Sequence, residues 1–173
     1  MSYTEKCLLK ADNMKFEHLI EINDPNNSLM PIFTREQLWN GLVLRAEFPK
    51  LFLPNLDDCT ITSRDIDGLT RDLQFGELTI RDRVQFNFLN YVHYQVHQQG
   101  EIPNSSLRMA IEEPAPLVLF VRFSYDSGHT EAEDKENATY NEYRRSAYVE
   151  ADNDTINILR EMHSMGRLNN LLT

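Results

Sequence analysis

The stretch Cys59-Thr-Ile-Thr-Ser-Arg-Asp-Ile-Asp-Gly68-Leu-Thr-Arg-Asp-Leu-Gln-Phe-Gly-Glu-Leu-Thr-Ile-Arg-Asp-Arg-Val-Gln-Phe86 decides the fold class. Leu69, Arg71, Leu73 and Phe75 alternate with polar residues, and so do Leu78, Ile80, Asp82, Val84 and Phe86. A period of two describes half-buried strands, because successive side chains leave a strand on opposite faces. Gly76-Glu77 separates the two runs, and Cys59–Ile66 runs into Asp67-Gly68, a strong two-residue hairpin signal. Consecutive hairpins build an antiparallel sheet.

The pattern continues on both sides. Val92, Tyr94 and Val96 form a further strand closed by Gln98-Gln99-Gly100. Leu107, Met109 and Ile111 form another, ended by Pro114-Ala-Pro116. Leu117 to Tyr125 is apolar on both faces in its first half, which places it centrally or under cover on both sides. Upstream, Met14, Phe16, His18, Ile20 and Ile22 share one strand face before the turn residues Asp24-Pro25-Asn26-Asn27. Thr34 with Gln37 makes a capping box, predicting a helix over Arg35–Phe48. Pro49 interrupts it, leaving a short second turn through Leu51-Phe52. After the acidic stretch Glu131–Glu136, the segment Asn137–Leu168 has no proline and only one glycine. Tyr140, Tyr143, Ala147, Ala151, Thr155, Ile158, Met162 and Met165 step by three or four along it. This spacing predicts one amphipathic helix roughly 45 Å long. Asp152, Asn153 and Asp154 are poor helix formers, so a break there is the alternative. The whole is an α+β domain over residues 1–173. Seven antiparallel strands curve around a long C-terminal helix, with a short helix pair after the first strand. Whatever the curl and the helix leave unfilled is a cavity.

Composition narrows the partners. Twenty-seven acidic against seventeen basic residues give a formal charge of −10, which argues against nucleic-acid phosphates and anionic membrane surfaces. The densest apolar run, Pro116–Val121, is too short to span a bilayer, and the N-terminus carries no signal-peptide pattern. Cys7 and Cys59 lack a CxxC context and are expected as reduced thiols in a cytoplasmic protein. The Asn-x-Ser/Thr patterns at Asn26, Asn104, Asn137 and Asn153 are then chance matches. His93 and His97 are spaced for zinc only on a helix. On the strand read here they stand about 13 Å apart, too far for two bonds of about 2 Å to one ion. The acidic groups around His129 have no EF-hand spacing. No GxSxG, P-loop or GxGxxG is present, so neither metal nor nucleotide cofactor is expected.

Three segments carry a family resemblance: Phe16-Glu-His18 with Ile22-Asn-Asp-Pro25; Thr34-Arg-Glu-Gln-Leu-Trp-Asn-Gly-Leu-Val-Leu-Arg-Ala46; and Gly76-Glu-Leu-Thr-Ile-Arg-Asp-Arg-Val84. With the element order, they resemble the helix-grip superfamily of birch-pollen-allergen-like, START-like and polyketide-cyclase-like proteins (SRPBCC), and within it the AtaL-like branch. The resemblance implies a cavity for a small apolar molecule. It implies no single reaction, and it carries over no catalytic residues.

Seven residues are candidates for the cavity. His18 sits among apolar neighbours on its strand face, as a ligand anchor, a general base or a bonded core histidine. Trp39 is an aromatic wall or packing of helix on sheet. Arg45 shares a stripe with Leu38 and Leu42, able to meet a carboxylate or to snorkel. Arg71 and Asp82 interrupt apolar faces of neighbouring strands, which a buried ion pair or a register slip would explain. Tyr125 and Tyr143, with Tyr91, Tyr140 and Tyr148, offer hydroxyls to a cavity or its rim. Three functions stay open: a module binding a small hydrophobic or aromatic molecule, a cyclase- or aromatase-like enzyme, and a structural protein that dimerises through the Leu117–Val121 strand.

Overall fold

The computed structural model describes residues 15–128 and 138–170. Met14, Cys7, His129 and the acidic stretch Glu131–Glu136 lie outside the described residues. Strand β1 (Lys15–Asn23) leads into helix α1 (Arg35–Glu47), a single 3-10 turn (Pro49–Leu51), strands β2 (Asp58–Asp65), β3 (Gly68–Phe75), β4 (Leu78–Asn87), β5 (Tyr91–Val96), β6 (Ser105–Ala115) and β7 (Val118–Asp126), and helix α2 (Ala138–Ser164). The seven strands form one sheet in the order β1-β7-β6-β5-β4-β3-β2. Every neighbouring pair is antiparallel. This is the helix-grip α+β architecture expected from the residue pattern.

The capping box at α1 is complete. Thr34 Oγ1 accepts from the Gln37 N–H at 3.0 Å. Gln37 Oε1 accepts from the Thr34 N–H at 2.9 Å. The helix buries Leu38, Leu42 and Ala46 as its stripe requires. At Gly41 a Cβ would stand 2.6 Å from Leu159 Cδ2, so the missing side chain lets α2 approach α1 closely.

Two local expectations shift. The β2–β3 hairpin turns at Ile66-Asp67, one residue earlier than the Asp67-Gly68 signal, because Asp65 pairs with Gly68. Asp65 Oδ1 accepts from the Asp67 and Gly68 N–H groups at 2.9 and 3.0 Å, closing the turn itself. Gly68 is needed inside the strand instead: a Cβ there would lie 1.9 Å from the Val84 carbonyl oxygen. Pro114 does not end β6, which continues to Ala115. The ladder shifts register between Glu112 and Ala115, and a bulge tolerates a residue with no N–H. The two-faced apolarity of β7 reflects its place inside the sheet, between β1 and β6.

Helix α2 runs unbroken through Asp152-Asn-Asp154. Its last turn closes with Gly166 N–H donating to His163 O and Arg167 N–H to Met162 O, both at 3.0 Å, the two bonds of a Schellman end. Its buried face differs from the hydropathy stripe. Asp152, Thr155, Ile156, Leu159 and Met162 are buried, whereas Ala147 and Ala151 are exposed. The predicted stripe holds at Thr155 and Met162 and fails at Tyr140, Tyr143, Ala147 and Ala151, where the polar residues Asn141 and Asp152 turn inward instead.

The helix is tied to β1 from above. Arg160 donates to the Ile22 and Glu21 carbonyls at 3.0 and 2.9 Å, where the β1 ladder shifts register. The Asn23 side chain holds the backbone N–H and C=O of Phe33 at 2.8 and 2.7 Å, closing the β1–α1 loop. The Phe33 ring in turn stacks on His163 at 4.2 Å.

Arg71 and Asp82 are directly opposite one another across β3 and β4, which removes the register-slip reading. Their bidentate pair spans 2.9 and 2.5 Å, and Arg71 Nη1 also donates to Ala46 O at 2.8 Å, tying the sheet to α1. Both side chains are nearly fully buried. Replacing one member strands the other's charge, so Arg71→Met is expected to destabilise the fold by about 3–5 kcal/mol in urea titrations. The double variant Arg71→Met/Asp82→Leu, with no charge left behind, is expected to recover most of that loss.

Candidate functional site

The ladders place Phe16, Tyr125, Leu107, Tyr94 and Val84 opposite one another in a row across β1, β7, β6, β5 and β4. Strand alternation brings His18 and Phe123 onto the same concave face in the adjacent row. Helix α2 crosses this face and drives Asp152 into it, leaving it 1% exposed. Tyr125 Oη donates to Asp152 Oδ1 at 2.5 Å. His18 Nε2 donates to Asp152 Oδ2 at 2.6 Å. Burial pushes the Asp152 carboxyl above its ordinary range, opposed by the bonds from Tyr125 and His18 and by the charge of Arg45. Burial, then the Asp152 charge, pushes the Tyr125 phenol upward, so it keeps its proton and remains a donor.

Aromatic rings enclose this group. The Tyr125 and Tyr148 rings stack at 4.0 Å and 9°. Phe16 flanks both at 6.2 and 6.3 Å. The His18 ring lies between Phe16 and Phe123 at 5.6 and 5.3 Å. Beside the tyrosine pair is a hollow of about 190 Å³, partly open to solvent, lined by Tyr94, Val96, Leu107, Tyr125 and Tyr148, with the polar residues Ser105, Ser106 and Asp126. A dry cavity of roughly 150 Å³ takes up benzene, so this one has room for a single ring.

Two guanidiniums stand over Tyr94, each 5.2 Å from the ring centroid. Arg71 is paired with Asp82 as described. Arg45, from α1, forms no hydrogen bond or ion pair among the described residues, and its Nε is buried without a partner. The Tyr94 hydroxyl is likewise buried and unpartnered.

His18, Arg71, Asp82 and Tyr125 therefore share one face of the sheet, Arg45 stands over Tyr94 on that face, and of the five Tyr125 lines the hollow. Trp39 does not join them: it is buried in the core, edge-on to Phe86 and Phe88 at 6.3 and 5.8 Å. Tyr143 is 74% exposed, which corrects its assignment to the cavity, and Tyr140 is exposed as well. Tyr143 falls outward because the buried face of α2 follows Asp152 and not the aromatic spacing. Residue reading missed Asp152 and Tyr94. The signal for Asp152 was its spacing, four residues after Tyr148 and three before Thr155. Tyr94 looked like any alternating strand residue.

A larger depression of about 610 Å³ lies on the opposite face of the sheet, between β3, β4 and the segment after β5. Its charged groups already satisfy one another: Arg81 pairs with Asp72 and Arg83 with Asp65. His93 lies in β5, and burial, then the Arg108 charge, lowers its pKa. Among the described residues no group of three or more His, Cys, Asp or Glu could hold a metal ion. No helix among them is long and apolar enough to cross a membrane.

A seven-stranded sheet gripping a C-terminal helix beside a one-ring hollow defines a helix-grip protein of the SRPBCC type. The chain belongs to the AtaL family, described as acetylaranotin biosynthesis cluster protein L, whose model matches residues 20–166. Among solved structures it is similar to the di-domain ARO/CYC StfQ from the steffimycin biosynthetic pathway, with a TM-score of 0.62, 9% identity, and coverage of 85% of this chain and 50% of that one. The chain thus spans half the length of StfQ. It is also similar to the Zhui aromatase/cyclase from Streptomyces sp. R1128 (TM-score 0.56, 15% identity, 86% and 94% coverage). A third is Ara h 8.0201 (TM-score 0.51, 11% identity, 86% and 95% coverage). At such identities the likeness is one of fold. A search of curated proteins gives no match.

The raised Asp152 pKa has a definite sign. A carboxyl whose folded value lies above its unfolded value favours folding while protonated, and that contribution is lost as pH rises through the folded value. Asp152→Asn removes it. The stability of the variant minus that of the wild type is expected to grow in the variant's favour from about pH 4 upward. Urea midpoints of both proteins at pH 4, 5, 6 and 7 check this, and a difference that stays flat would refute it.

Proposed function

We propose that this protein binds a small hydrophobic or aromatic molecule in the hollow between β5, β6, β7 and α2. The observation that carries the reading is the pairing of an apolar one-ring space with polar groups of unmet bonding capacity at its wall. Packed interiors leave few buried polar atoms unsatisfied. Here the hydroxyl of Tyr94, a lining residue, and Nε of Arg45, whose guanidinium stands 5.2 Å from the Tyr94 ring centroid, are both unsatisfied among the described residues. The family membership and the fold shared with aromatase/cyclases support the reading.

A second reading, a cyclase- or aromatase-like enzyme in the same hollow, is favoured by the His18–Asp152–Tyr125 chain. Asp152 orients the imidazole through Nε2, as a carboxylate does for a general base. Tyr125, which lines the hollow, keeps its proton and could polarise a carbonyl when it turns from Asp152. Holding a reactive chain in one shape would supply the remainder.

A thermal-shift screen of one- and two-ring aromatic compounds tests the binding reading. A ligand at a hundred times its Kd adds about 2.7 kcal/mol, roughly 5–10 °C in Tm for a chain of this size. Leu107→Trp fills the hollow and is expected to abolish the shift while the protein stays folded. Equal shifts in both proteins would place binding elsewhere. Trp39 packs away from the hollow, so its emission is not the reporter of choice.

A further inference from the structure

We infer that the molecule held in this hollow is an aryl anion, a ring bearing a carboxylate or a comparably ionised oxygen, and that Arg45 with the Tyr94 hydroxyl forms its anion subsite. The inference rests on the binding reading above and adds the charge of the ligand.

The argument comes from two arginines compared at one ring. Arg71 and Arg45 stand at the same 5.2 Å from the Tyr94 centroid. Arg71 has every reason to be there, with two bonds to Asp82 and one to Ala46 O. Arg45 is partly buried and has no acceptor among the described residues, with its Nε fully buried, although a guanidinium presents five donors in a rigid fork. A ring face satisfies a cation in part, but it accepts none of those N–H bonds.

Of the three acidic groups nearby, two are engaged by side-chain donors and the third by a backbone N–H. Asp152 accepts from Tyr125 and His18. Asp82 accepts from Arg71. Asp126, at the rim of the hollow, accepts from the Gly128 N–H at 3.1 Å. What the arrangement lacks is one anionic oxygen pair between α1 and β5. A carboxylate accepts from the fork of Arg45 and from the Tyr94 hydroxyl together, and charge-assisted bonds of this kind are the strong ones. The hollow beside them takes the ring, so the two requirements meet in one small molecule. A neutral ring fills the space and leaves both donors unmet.

Calorimetric titration with benzoate and benzamide, which share a shape and differ in charge, tests this. Wild-type protein is expected to bind benzoate at least about tenfold more tightly than benzamide. Arg45→Met is expected to erase that preference, read as the ratio of the two Kd values, and Tyr94→Phe to reduce it. Tyr94→Phe, which removes one oxygen, also keeps the test open if Arg45→Met fails to fold. Equal binding of the two probes to wild type overturns the anion subsite and leaves the hollow as a neutral ring site. A benzoate preference that survives both substitutions overturns it too, by putting the anion elsewhere. Binding of neither probe overturns the subsite together with the binding reading.

Discussion

One buried carboxylate sets the geometry of this protein. Asp152 sits on the inward face of the terminal helix, nearly without solvent, and accepts one bond from the first strand and one from the last. A lone buried carboxylate would cost several kcal/mol. It is tolerable here only because His18 and Tyr125 meet both oxygens. That requirement helps set the rotation of α2 about its own axis. With the rotation set, Leu159 falls against Gly41 and Arg160 reaches the carbonyls exposed by the register shift in β1.

The second consequence is a wall with graded polarity. The Asp152 group and the Arg71–Asp82 pair stand on the same concave face, separated by Leu107 and Tyr94. Each is internally satisfied. Tyr125, bonded to Asp152, and Tyr94, under Arg71, both line the space between them, and there the Tyr94 hydroxyl and Arg45 Nε are without partners among the described residues. Apolar surface for a ring and a phenol hydroxyl therefore occur together, with a guanidinium over the phenol ring. This is the usual composition of a ligand site: mostly apolar, with a few convergent polar groups.

Much of the architecture was legible in the residues because its signals are local. Period-two alternation marked each strand, and Thr34 with Gln37 marked the start of α1. The ion pair between Arg71 and Asp82 was legible as two charges out of place on neighbouring faces. The site was legible in part. His18 stood out as a polar residue in an apolar row, and Tyr125 and Arg45 as polar groups on inward stripes. Tyr143 was misplaced and Asp152 passed over for one reason: a hydropathy stripe assumes that the buried face of a helix is its apolar face. Asp152 breaks that assumption, because its burial depends on His18, 134 residues away, and on Tyr125 in another element.

The amino-acid sequence alone determined the order and kind of the elements, the antiparallel meander and the existence of a long terminal helix. Each follows from backbone periodicity and turn chemistry within a few residues. Only the tertiary structure decided that β1 pairs with β7, how α2 is rotated over the sheet, and which polar groups end with partners and which without. Those outcomes depend on closing loops of a hundred residues or more and on satisfying buried charge across them, and neither constraint leaves a mark within any short window of the chain.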